Sequence, residues 1–266
     1  MNKPTAMNAA QRQQWLHIPS PLDRPKLRLI CFPYAGASGV LYHPWARLLP
    51  AGVELSAVLM PGRLGRRDDP PMLRMEPLIE ALAACVDPLF DVPVVFFGHS
   101  MGAIVAYELT HHLERTRGLL PRHLIVSGHV APHVPDRNRG VHLLSDQEFI
   151  DRVLRFNGTP SALMSDPEMV ALILPALRAD FEILGHRPGA DRPALPIPIT
   201  ALAGRSDPEA TVAEAAGWAR HTRAAFERYD FDGGHFFINE SRGDVLDVVR
   251  GVCDRVVAGA TAVPAL

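Results

Sequence analysis

Residues 93–105 read Pro93-Val94-Val95-Phe96-Phe97-Gly98-His99-Ser100-Met101-Gly102-Ala103-Ile104-Val105: an apolar strand that breaks at a Gly-His-Ser-Met-Gly turn and continues as a helix. The residue types in the turn follow from its geometry. A serine on so sharp a strand-to-helix turn holds its hydroxyl clear of the sheet edge. Side chains two positions to either side would strike neighbouring backbone, so Gly98 and Gly102 carry none. The N–H of Met101 then faces the point where an oxyanion can form. The strand residues before the turn and the amphipathic run after it (Ile104, Val105, Leu109) place the motif inside a strand–helix unit, which a bare G-x-S-x-G would not do.

Outward from this stretch, short apolar or β-branched runs alternate with helical patterns. Strands are expected at 27–32, 53–60, 93–98, 123–128, 197–203 and 227–231. Helices are expected at 43–49, 75–90, 101–116, 209–223 and near 240–258. Such alternation implies βαβ crossovers and a mostly parallel central sheet with helices on both faces, an α/β fold. The rhythm stops from 131 to 190, where the patterns are helical only, at 145–156 and 166–184. The first of these opens Ser145-Asp146-Gln147-Glu148, a capping-box signature. The expectation is a single domain over 1–266 with a helical lid inserted at 131–190, above the C-terminal ends of the strands where α/β sites form. Residues 1–25, with Pro19, Pro21 and Pro25, read as an irregular arm.

Bulk properties exclude several function classes. The net charge of −2 leaves no basic excess to neutralise phosphates, so no nucleic-acid partner is expected. Cys31, Cys85 and Cys253 are odd in number and widely spaced, which gives neither a disulfide framework nor a metal site, and no metal or cofactor is expected. The run Met1 to Ser20 has no apolar signal core and no stretch reaches a membrane span, so a cytoplasmic, membrane-free protein is expected, as a monomer.

A serine hydroxyl is a poor nucleophile until a base takes its proton, and the base needs an acid to orient it. Around a sheet of this kind the partners follow in the order serine, acid, histidine, each in a loop after a late strand. The strand at 197–203 runs into Gly204-Arg205-Ser206-Asp207-Pro208, and the strand at 227–231 into Asp232-Gly233-Gly234-His235-Phe236-Phe237. Ser100, Asp207 and His235 are therefore the expected catalytic residues, with Asp230 and Asp232 as rival acids. Asp207 could instead merely cap the following helix. Of the other histidines, His99 is expected to pack rather than react, and His111 and His112 to be solvated.

A second oxyanion donor belongs in the loop after the first major strand, Phe32-Pro33-Tyr34-Ala35-Gly36-Ala37-Ser38-Gly39, whose small residues let backbone approach a carbonyl oxygen. The N–H of Ala35 is expected to act beside that of Met101, with Tyr34 as the alternative. The apolar residues of 131–190 exceed what two surface helices need for anchoring, so some should line a pocket beside Ser100. Tyr34, Phe149, Phe156 and Phe181 are the expected substrate-binding side chains.

Five segments together carry a family resemblance: Phe32-Pro33-Tyr34-Ala35-Gly36-Ala37, Met60-Pro61-Gly62-Arg63, Gly98-His99-Ser100-Met101-Gly102, Gly204-Arg205-Ser206-Asp207-Pro208 and Gly233-Gly234-His235-Phe236-Phe237. At these separations the chain resembles the type II (external, editing) thioesterases of polyketide and nonribosomal peptide assembly lines, from about residue 26 to 250. The elbow alone fits any α/β-hydrolase; the Phe-Pro-Tyr-Ala-Gly loop and the Pro-Gly-Arg segment are far more specific. The resemblance implies hydrolysis of acyl, aminoacyl or peptidyl thioesters held on the phosphopantetheine arm of a carrier protein. It also implies a serine–histidine–aspartate triad and a helical lid. Arg63, Arg66, Arg67 and Arg74 cluster with only Asp68 and Asp69 among them, either a solvated, locally paired loop or a patch that receives an acidic carrier or the pantetheine phosphate; on the second reading Arg63 and Arg66 are the expected partner-binding residues. Two rivals remain from the residues alone: a general carboxylesterase or lipase, and a catalytically silent binding module.

Overall fold

The computed structural model describes residue 7 and residues 9–156, 166–186 and 192–261. Seven strands form one sheet in the order β1-β3-β2-β4-β5-β6-β7. They are β1 (Leu16–His17), β2 (Leu27–Phe32), β3 (Val53–Val58), β4 (Val94–His99), β5 (His123–Ser127), β6 (Ile199–Gly204) and β7 (Phe226–Phe231). All neighbouring pairs are parallel except β1 with β3. Among the described residues the α-helices are α1 (Ala9–Trp15), α2 (Met75–Val86), α3 (Met101–Arg117), α4 (Asp146–Leu154), α5 (Pro167–Gly185), α6 (Val212–Ala215), α7 (Phe237–Glu240) and α8 (Arg242–Thr261).

The period-2 alternation of a strand sorts side chains onto two faces. Ile30, Phe32, Val94, Phe96, Leu124 and Val126 pack under α2 and α3, with Leu78, Leu82, Ile104 and Leu109. Leu29, Cys31, Val95, Phe97 and Ile125 face the other way, against Tyr42, Trp45 and the α8 residues Val245, Val249 and Val252. Both faces are covered, which is why the central strands read as unbroken apolar runs. All three cysteines are buried, and none is in a disulfide. A third, smaller core lies outside the sheet, where α4 and α5 pack Phe149, Ile150, Val153, Leu174, Leu177 and Phe181 together. The capping box at the start of α4 forms as its sequence implies, Ser145 Oγ accepting from Glu148 N–H.

Several expectations about the elements need correction. The helix expected at 43–49 is a 3-10 helix over Gly39–Arg47, with Pro44 inside it. Residues 1–25 are not uniformly irregular: α1 and β1 add an antiparallel edge strand, and Trp15 and Leu16 are buried in the core. The helix expected at 209–223 is cut to α6 and a following 3-10 turn, Ala216–His221. His111 is buried, not solvated, its ring edge-on to Tyr107; burial pushes its pKa down to about 4. The parts of 131–190 at 157–165 and 187–190 lie outside the described residues.

Candidate active site

Three loops after parallel strands converge at the C-terminal edge of the sheet. Ser100, between β4 and α3, has φ +52° and ψ −120°, a left-handed-side backbone that costs a non-glycine residue of the order of 1–3 kcal/mol. The contacts around it hold that strain in place. A Cβ on Gly98 would lie 2.1 Å from the carbonyl oxygen of Gly102, and one on Gly102 would lie 2.1 Å from that of Phe32. The Ser100 N–H donates to the Ser127 carbonyl at 2.7 Å, which ties the elbow to β5.

Asp207 follows β6 and His235 follows β7; their side chains are buried. His235 Nδ1 lies 2.9 Å from Asp207 Oδ2, and His235 Nε2 lies 3.0 Å from Ser100 Oγ. With Nδ1–H donating to the carboxylate, Nε2 is left with a lone pair for the serine proton. The second carboxylate oxygen accepts from the N–H groups of Glu209 and Ala210 at 2.9 and 3.3 Å. The aspartate that orients the imidazole is thus itself oriented by the turn that follows it. The rival acids point elsewhere: Asp230 pairs with Arg228, and Asp232, with a side chain 95% exposed, pairs with Arg205.

His99 lies beneath this group, its ring 5.4 Å from that of His235. Its Nδ1 pairs with Ser127 Oγ at 2.9 Å, and burial holds its pKa well below the ordinary imidazole value. It is a neutral packing residue, so no second positive charge competes with an imidazolium on His235.

Among the described residues, neither the Ala35 nor the Met101 N–H has an acceptor. Both flank Ser100, one on the loop after β2 and one at the first residue of α3, so two unspent donors are available to a developing oxyanion. Above them lies a narrow cleft of about 40 Å³, lined by Tyr34, Ala35, Ser100, Val153, Phe156, Leu177, Phe181, His235 and Phe236. A second small cavity continues from Ser100 toward Asp136, Asn138 and Glu209.

Of the expected substrate-binding residues, Tyr34, Phe156 and Phe181 line the cleft, and Phe156 packs edge-on to His235 at 5.1 Å. Phe149 does not. It is fully buried within the α4–α5 core against Phe181, with the Arg178 guanidinium over its other face. Helical periodicity marks an apolar residue as inward-facing without saying which of two interiors it enters. Val153 and Leu177 take the wall positions, and Phe236, beside the histidine, is a wall residue that sequence reasoning missed.

Arg63 and Arg66 also stand differently from the free basic rim expected of them. Arg63 forms a two-pronged ion pair with Asp180 of α5 at 2.6 and 2.7 Å, with side-chain exposures of 9% and 1%. Arg66 donates to Asp69 and to the Leu59 carbonyl and lies over the Trp15 ring at 4.2 Å. Both guanidiniums are consumed by the chain's own packing. Arg67, 70% exposed and only loosely paired with Asp68, and the exposed Arg74 are the open cations of that patch.

A mostly parallel sheet with a strained serine elbow at the end of one strand, and with acid and histidine loops at the ends of two others, defines an α/β-hydrolase. Within that class the chain belongs to the thioesterase family, whose domain model matches residues 27–253. It is 33% identical over 238 residues to the gramicidin S biosynthesis protein GrsT of Aneurinibacillus migulanus, covering 90% of this chain and 93% of that one. It is 39% identical over 256 residues to thioesterase PikA5 of Streptomyces venezuelae, covering 91% and 89%. The structure of the type II thioesterase BorB from the borrelidin biosynthetic cluster matches with a TM-score of 0.79 at 35% identity, over 91% of this chain and 97% of that one. The family that the loop motifs imply is the family found; another similar structure is YbtT, a type II thioesterase from the yersiniabactin NRPS/PKS biosynthetic pathway, at 30% identity and a TM-score of 0.78 over 89% of this chain and 97% of that one. Among the described residues, no helix is long and apolar enough to cross a membrane.

Proposed function

We propose that the protein hydrolyses acyl, aminoacyl or peptidyl thioesters carried on the phosphopantetheine arm of a carrier protein in polyketide or nonribosomal peptide biosynthesis, through a covalent intermediate on Ser100. The observation that carries this reading is the unbroken chain of contacts from Asp207 through His235 to Ser100 Oγ. Ser100 Oγ attacks the thioester carbonyl as His235 Nε2 takes its proton. The tetrahedral oxyanion is held by the N–H groups of Ala35 and Met101. Collapse breaks the C–S bond, and the His235 imidazolium gives its proton to the departing pantetheine sulfur, a good leaving group that needs little help from an acid, so the thiol leaves and His235 is neutral again. His235 then takes a proton from water, hydroxide attacks the acyl-serine, and the free acid leaves with the proton returned to Ser100.

Residues 131–190, with α4 and α5 at their centre, act in this reading as a lid over the acyl chain. Ligand pockets usually occupy roughly 300–1,000 Å³, whereas the cleft over Ser100 is about 40 Å³. Admitting an acyl chain therefore requires α4 and α5 to move outward. Arg67 and Arg74, in place of Arg63 and Arg66, are the cations left to meet an acidic carrier.

The triad suits ordinary esters equally well, so the test compares substrates. An acyl carrier protein loaded with a short acyl group should be turned over with kcat/KM at least about 10²-fold above a p-nitrophenyl ester of the same acid. A ratio near one would support the carboxylesterase reading. Failure of Ser100 to take a fluorophosphonate label would support the silent binding module.

A further inference from the structure

We propose that Asp180, on the helix that roofs the cleft, is a positioning residue for the oxyanion-binding loop, so that the loop is competent only while α5 is seated. The inference rests on the reading of Ser100 and the Ala35 N–H given above, and adds to it a link between roof and chemistry.

Three of the hydrogen bonds that hold the loop after β2 bear on the Gly36–Ala37 stretch. The Ala37 N–H donates to the Tyr34 carbonyl at 3.0 Å and closes the turn. The Ala37 carbonyl accepts from Arg63 Nη1 at 3.0 Å. Between them, the Gly36 N–H donates to Asp180 Oδ2 at 2.8 Å, and the same carboxylate receives both Arg63 nitrogens. Arg63 and Asp180 thus grip two consecutive peptides of the loop, one through its carbonyl and one through its N–H.

The middle bond matters most, for a stereochemical reason. Peptide units are planar, so fixing the Gly36 N–H fixes the whole Ala35–Gly36 peptide. The Ala35 N–H belongs to the preceding Tyr34–Ala35 peptide, whose carbonyl accepts from the Ala37 N–H, so its aim depends on the turn 34–37 keeping its shape. Gly36 has φ +78°, a conformation that glycine leaves as easily as it enters. Without Asp180 as an acceptor for its N–H, the central peptide of the turn loses its outside anchor, and the loop that carries the Ala35 N–H loosens. The approach is also close: a Cβ at Gly36 would lie 2.8 Å from Leu177 Cδ1. Leu177 precedes Asp180 by three residues, which puts both on one face of α5, and Leu177 is itself a wall of the cleft. One helix face therefore both contacts the acyl site and orients the loop that would stabilise its transition state. Lifting α5 to admit a substrate would disarm the oxyanion site, and reseating it would restore the site.

Two double variants separate this role from that of a simple buried anchor. Arg63→Met with Asp180→Leu removes both charges and leaves the Gly36 N–H without an acceptor. Arg63→Gln with Asp180→Asn also removes both charges but keeps an oxygen for it. Replacing a buried pair together avoids the stranded charge that would unfold a single variant. On a short acyl N-acetylcysteamine thioester, the Met/Leu protein should lose about 10²-fold in kcat with KM within a few-fold, the scale of an impaired oxyanion donor. The Gln/Asn protein should stay within about tenfold of the parent. Affinity for a small boronic acid, which forms a tetrahedral adduct on the serine, should fall in parallel with kcat. Equal losses in the two doubles, or no loss in either, would overturn the proposal. Hydrogen exchange on the unaltered protein gives an independent reading: the boronic acid should raise protection at 34–37 and at 176–181 together, and protection of the loop alone would count against the link. Fluorophosphonate labelling of Ser100 in the parent serves as the control, since its absence would remove the triad reading itself rather than the role of Asp180.

Discussion

The two walls of the cleft are held by different forces. The sheet-side wall, with Ser100, Asp207 and His235, is fixed by backbone. The Ser100 N–H is bonded into β5, two glycines sit where no Cβ fits, and Asp207 is braced by two N–H groups of its own turn. The helical wall, with Val153, Phe156, Leu177 and Phe181, has a small core of its own. It is joined to the rest by Ile183 and Leu184 of α5, which enter the sheet-side core, and by long side chains: Arg63 to Asp180, and Arg152 to Glu209 at 2.6 Å. Backbone links cannot be released without unfolding, because every freed polar group needs a new partner. Side-chain links can part and re-form. In the proposed reading the reacting atoms sit on the wall held by backbone, and the acyl-shaping residues on the wall held by side chains.

Substitutions at the two walls should therefore differ in kind. The largest effect is expected from Ser100→Ala, with kcat falling on the order of 10⁵-fold and no acyl adduct by mass spectrometry of a rapidly quenched reaction. A variant with a tenth of the parental rate would move the nucleophile elsewhere. Asp207→Asn should lower kcat by about 10³- to 10⁴-fold through the wrong imidazole tautomer, whereas Asp230→Asn and Asp232→Asn should stay within about twofold. If Asp232→Asn were the most damaging of the three, the acid assignment would fail.

Arg152→Met probes the movable wall. It cuts the tie to Glu209 and uncovers the face of Phe156 on which the guanidinium rests at 4.9 Å. KM for long acyl thioesters should change about three- to tenfold while kcat on a two-carbon acyl group stays within about twofold. A matched loss on short and long substrates would mean that the helical wall is as rigid as the sheet wall.

The smallest effect on catalysis, read in stability instead, comes from buried imidazoles. His123, bonded to Thr200, and His221, bonded to Tyr107 and His133, are both pushed down by burial to about 4. The unfolded chain, with imidazoles near 6.5, binds these protons first. Stability should accordingly be full above about pH 6.5, decline as pH falls toward about 4, and change no further on their account below that. Melting temperature measured across this range should fall less steeply in His123→Gln than in the parent.

The sheet wall was legible in the sequence because each of its demands selects a residue type. A left-handed serine needs glycine neighbours, and glycines before a histidine let its loop turn over the strand ends. The helical wall was legible only as a pattern. Apolar spacing predicted α4 and α5, but could not say that Phe149 fills their shared core while Leu177 faces the cleft. Arg63 was misread for a related reason: its partner lies on α5, 117 residues away, and no local spacing reports a contact of that range. Trp15 and Leu16 were passed over because a two-residue strand has no periodicity to detect.

The burial of the cysteines has a practical consequence. Burial drives the thiol pKa of Cys85 and of Cys253 up to about 12, and that of Cys31 well above the ordinary value. Attack on a maleimide requires a thiolate that can be reached, and the native fold offers it none. A single cysteine introduced at the exposed α5 position Leu172 would therefore be uniquely addressable, without stripping the natural thiols from the core. A dye placed there would show whether, and how far, the roof lifts when substrate is added.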